Sequence, residues 1–67
     1  MRYYVNTKKQ LNGDNEVHAV TCSKLPKEEN RRYLDDFSSC EPAVRLAKQQ
    51  GYKANGCIHC CRPCHTT

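Results

Sequence analysis

Seven side chains of this 67-residue sequence have the chemistry of soft-metal ligands: His18, Cys22, Cys57, Cys60, Cys61, Cys64 and His65. Cys57-x-x-Cys60 lets two thiolates of one tight turn reach a single ion while nearby backbone amides soften their charge. His18-x-x-x-Cys22 supplies a second pair within reach of the same centre. One imidazole and three thiolates make a tetrahedral set common in structural zinc sites, with no position left for a substrate. The expected ligands are therefore His18, Cys22, Cys57 and Cys60, and the expected cofactor is Zn2+.

Other uses of the same residues stay open. A different subset, drawing on Cys61, Cys64 or His65, would also satisfy the ligand chemistry. Cys57, Cys60, Cys61 and Cys64 follow the i, i+3, i+4, i+7 spacing of one helical face. Such a face would suit a soft ion such as Cu(I) and make the chain a thiol-based metal carrier. Six cysteines would alternatively close three disulfides in any of 15 pairings, giving a stapled mini-domain. Cys40 stands apart from both ligand pairs and reads as a small buried hydrophobe. His59, inside the Cys57–Cys60 turn, is expected to face solvent.

The elements that must position these residues are short. Residues 2–6 (RYYVN) are aromatic and β-branched enough for a strand, 16–21 (EVHAVT) are β-branched with alternation and read as a second, and 32–37 (RYLDDF) are expected as a third. Asn12-Gly13 is a dipeptide favoured in tight hairpin turns. Ser38 and Glu41 have capping-box spacing, and Pro42 suits a first helical turn. A helix is thus expected from Ser39 to Gln50, stopped by Gly51, with Cys40, Ala43, Val44 and Ala47 along one stripe. Asn55-Gly56 then marks a turn into the terminal GCIHCCRPCHTT. The fold class is α+β: a small antiparallel sheet, one main helix and a C-terminal zinc-knuckle-like segment, in a single domain over residues 1–67.

Composition explains why such a chain needs a staple. Only 37% of residues are hydrophobic, with no Trp and one Phe, and the mean hydropathy is −0.91. A core this size rarely supplies more than ~3–5 kcal/mol. The N-terminal MRYYVNTKKQ lacks the apolar run of a secretory signal, and no window approaches the ~20 apolar residues of a membrane span. A cytoplasmic monomer without membrane association is expected, where clustered cysteines serve metals more often than disulfides.

The order His18-x3-Cys22, polar loop, strand ending at Phe37, helix, Gly51-Tyr52 and Cys57-x2-Cys60 resembles the Ada-type metal-binding domain, over residues 17–64 at most. The resemblance implies a small sheet with helices around one zinc, held by His18, Cys22, Cys57 and Cys60. In the DNA-repair members the first ligand is a cysteine that accepts a methyl group from a DNA phosphate. Histidine at position 18 removes that nucleophile, and Lys53-Ala54-Asn55-Gly56 replaces the family's Arg-Pro before the third ligand. Only the metal shell carries over, and methyl-acceptor activity is not expected.

Charge suggests where a partner would bind. The net charge is +4, and from residue 42 onward Arg45, Lys48, Lys53 and Arg62 meet no acidic side chain. These four are candidate phosphate contacts for a nucleic acid, although such charges also serve as a solvated face. Tyr3, Tyr4, Tyr33 and Tyr52 suit either base stacking or core packing. No phosphate-binding loop, nucleophile elbow or His-Glu zinc-protease motif occurs. The reading is a non-enzymatic structural-zinc module that contacts nucleic acid through its basic half, with a protein–protein adaptor as the alternative.

Overall fold

Alternating burial organises the N-terminal half of the computed structural model, which describes residues 1–66. In β1 (Arg2–Asn6) Tyr3 and Val5 are buried while Tyr4 and Asn6 are only half-covered, the period of a strand packed on one face. β2 (Asn15–Ala19) runs antiparallel to it, with Val5 opposite Val17 and Tyr4 opposite His18. β3 (Arg31–Asp36) lines the other edge of β1, with a register shift between Tyr3 and Tyr4. β1 coincides with its expected segment, β3 lies one residue earlier than 32–37, and β2 starts one residue before and ends two residues before 16–21. The β1–β2 connection differs from a two-residue hairpin. It spans residues 7–14, and Asn12 acts inside it by accepting a hydrogen bond from the Asp14 N–H.

Helix α1 (Cys40–Gln49) packs a narrow stripe of Cys40, Ala43 and Ala47 against Tyr3, Val5, Val17, Ala19 and Leu34. Alanine at two of those positions brings the helix close to the sheet. Its N-cap is Ser39, and no side chain caps it. The capping box expected from Ser38 and Glu41 is therefore absent, because the start lies one residue later and Glu41 falls at the second helical position. There its charge still complements the helix dipole. The C-terminus follows the expected device: Gly51 has φ +95°, its N–H donates to Lys48 O, and Tyr52 N–H donates to Ala47 O. That is the hydrogen-bond pair of a Schellman motif.

The sheet is mixed rather than wholly antiparallel. Asn55-Gly56, expected in a turn, belongs to a fourth strand, β4 (Ala54–Gly56), which runs parallel to β2 with Val17 opposite Gly56. The order across the sheet is β3-β1-β2-β4. The local sequence has little strand propensity, and the pairing is imposed by β2. Asn15 accepts a hydrogen bond from Lys53 N–H through its side chain and donates its own N–H to Lys53 O.

Beyond β4 the chain does not form the helical face once open to Cys57, Cys60, Cys61 and Cys64. It makes a tight turn at residues 58–60 and a one-turn 3-10 helix, Arg62–Cys64. Cys64 is disulfide-bonded to Cys40, the first residue of α1. Cys40 is buried as expected, but as half of a cross-link and not as a free packing thiol. The tail lies so close to β4 that a Cβ on Gly56 would sit 2.7 Å from Cys61 O and 2.7 Å from Cys64 Cβ. Among the described residues, no helix is long and apolar enough to cross a membrane.

Candidate metal centre

Parallel strands place their C-terminal ends together, and this feature assembles the site. Cys22 lies three residues beyond the end of β2, and Cys57 is the residue immediately after β4. His18 is inside β2, on the face opposite Val17 and Ala19 by strand alternation. Two bonds tie the Cys57–Cys60 turn to β2: Cys57 N–H donates to Val17 O at 3.0 Å, and Ala19 N–H donates to Cys60 Sγ at 3.3 Å. One ligand atom from each of His18, Cys22, Cys57 and Cys60 then lies within 4.8 Å of every other. These cysteine and histidine groups are positioned to bind a metal ion.

Each of the four has an outer partner. Cys22 Sγ accepts the Lys24 N–H and Cys57 Sγ accepts the His59 N–H, both at 3.4 Å. With Ala19 N–H on Cys60, every sulfur of the cluster accepts one backbone amide. Amides aimed at sulfur offset thiolate charge, as outer-shell partners of metal ligands do. Nε2 of His18 lies 3.4 Å from Oε1 of Glu16. The other imidazole nitrogen, Nδ1, is buried with no hydrogen-bond partner. An orphaned buried acceptor costs about 1–3 kcal/mol unless something else satisfies it, and a cation among the three sulfurs would do so.

Burial also sets the protonation of these side chains. Burial holds the His18 imidazole below its usual pKa, with Glu16 opposing and His59 reinforcing that shift. Burial pushes the Cys60 thiol well above its usual range, against the lowering effect of the Ala19 amide. These groups therefore favour the neutral imidazole and the protonated thiol, and a bound cation would displace the thiol proton.

The remaining candidates are used elsewhere. Cys61 is buried in the apolar core; its Sγ is 3.7 Å from Cys60 Sγ, and burial raises its pKa. Cys64, an alternate ligand by spacing, is consumed in the disulfide. His65, the other alternate, has Nδ1 3.0 Å from Gly56 O. His59 is exposed, as expected. Of the candidate phosphate contacts, all four are exposed. Arg45 and Lys48 share one hollow with Glu41, while Lys48 and Lys53 share another with Asp14. Glu16 was not foreseen, although a carboxylate two residues from a strand histidine necessarily shares its face.

Compared with models of known families, with curated proteins and with solved structures, the chain matches none.

Proposed function

We propose that this protein is a small structural-zinc module in which His18, Cys22, Cys57 and Cys60 hold one Zn2+. The observation that carries the reading is the cluster itself: four ligand atoms gathered from two distant segments, each with its own outer partner. The sulfur spacing fits an ion of zinc's size. Two sulfurs bound to a tetrahedral zinc at about 2.3 Å stand about 3.8 Å apart, and Cys22 Sγ and Cys57 Sγ are 3.9 Å apart. With all four positions filled by the protein, the ion has no site for substrate, so its role is to hold the fold. The order of ligands around the helix accords with the Ada-type arrangement, while His18 withholds the thiolate that methyl acceptance requires. Metal-loaded chain analysed by native mass spectrometry should carry one zinc and one disulfide. Three disulfides and no metal would refute the reading.

Nucleic-acid contact is the second reading, favoured by the exposed Arg45–Lys48–Lys53 surface. The interleaved Glu41 and Asp14 weaken it. Binding to duplex or single-stranded DNA that falls steeply with salt would support it. Salt-insensitive retention on a protein partner would favour the adaptor role.

A further inference from the structure

We infer that Glu16 is a positioning residue for the metal centre: it fixes His18 as the Nε2–H tautomer and leaves Nδ1 as the metal-binding atom. The inference rests on the metal reading above and adds which nitrogen binds and what turns it. Strand alternation places Glu16 and His18 on one face of β2, and Nε2 is 3.4 Å from Oε1. The Glu16 side chain is only 15% exposed, so water competes weakly for its carboxylate. Nδ1 is the nitrogen left buried and unpartnered, on a residue whose ligand atom lies within 4.8 Å of three sulfurs. A carboxylate on the distal N–H of a ligating histidine sets ring orientation and raises ligand basicity. Glu16 sits where that partner belongs. Its own backbone is held in the middle of the sheet, opposite Asn55 in the parallel ladder, so the carboxylate approaches the ring from a fixed base.

The test is nitrogen-15 NMR of the imidazoles in the intact chain, with its disulfide, before and after adding zinc alone. The expected spectrum has His18 Nε2 protonated in both states and Nδ1 shifted by the metal. Coordination through Nε2, or an Nδ1–H tautomer in the metal-free chain, would overturn the inference. Glu16→Ala should weaken zinc affinity about 10–100-fold by chelator competition, whereas Glu16→Gln, which keeps an acceptor oxygen, should retain the tautomer. Unchanged affinity and tautomer in Glu16→Ala would also overturn it. Should the chain take up no zinc yet show the Nε2–H form, the metal reading falls while the Glu16–His18 orientation stands. If Glu16→Ala does not fold, the wild-type spectra and Glu16→Gln still decide the matter.

Discussion

Cys22 Sγ and Cys57 Sγ stand 3.9 Å apart, although 35 residues separate them in the chain. Nothing local joins them. Their meeting depends on β4 lying parallel to β2, and on the turn that follows each strand presenting its sulfur at the same end of the sheet. The two arms of the site therefore report on the tertiary fold, and breaking either arm should have the same consequence.

Replacing His18, Cys22, Cys57 or Cys60 by Ala should abolish stoichiometric zinc binding, measured by metal analysis after gel filtration. Cys61→Ser should keep the metal, because Cys61 points into the apolar core. It should nonetheless lower stability, since a hydroxyl there is buried at a site that is 1% exposed. A Cys22→Ala chain that binds zinc normally while Cys61→Ser loses it would place the site wholly in the C-terminal segment.

Metal removal should cost more than reduction. Structural zinc contributes apparent binding energies of about 10–16 kcal/mol, whereas a disulfide closing a loop of this size contributes about 3–4 kcal/mol. Chelation of the oxidised protein should collapse its amide dispersion. Reduction with zinc present should leave the dispersion native. The reverse order would make the disulfide the principal staple.

Cys40→Ala and Cys64→Ala should each retain one zinc and melt earlier, by on the order of 10 °C or more given the sensitivity of domains this small. The double variant should melt close to either single one, because both remove the same cross-link. Additive losses would show that the two residues act separately.

Gly56→Ala should be destabilising by about 1–3 kcal/mol, as overpacked sites are. The added methyl would press on a backbone oxygen and a Cβ at 2.7 Å, neither of which rotates away. Denaturant titration reads this directly. A neutral result would mean that the tail is not seated on β4.

The metal-free chain should lose stability on acidification. Burial lowers the folded-state pKa of His18, so the unfolded chain binds the proton more readily. Stability from this group is complete above its unfolded value of about 6.5 and declines as the pH falls through that value toward the folded one. With zinc bound, protonation of the thiolates acts in the same direction, so metal release and unfolding should coincide. Circular dichroism against pH, with a zinc indicator present, measures both. A rise in stability between pH 7 and 5 would contradict the assignment to His18.

What was legible in the sequence was what is determined locally. β1 announces itself by Tyr3, Tyr4 and Val5, β2 by the alternation around Val17, and α1 by its stripe of small apolar residues closed at Gly51. The spacing within each ligand pair was also plain. What spacing could not show is that the pairs meet, because that follows from β4, an Ala-Asn-Gly strand whose only claim to be one is the edge of β2 beside it. The Cys40–Cys64 bond was hidden for the same reason. The helix sequence around Cys40 shows only an apolar stripe, and its partner arrives through a tail that folds back over Gly56.

The parallel pairing of β2 with β4 has a topological consequence. Everything between Cys22 and Cys57, β3 and α1 included, is a loop whose two ends are fastened at one point. A metal at that point would be a cross-link as well as a stabiliser. A protease that nicks the exposed stretch at Lys24 or Lys27 would produce two polypeptides that migrate as one until the ion is withdrawn. The disulfide lies entirely within the C-terminal piece and would not join them.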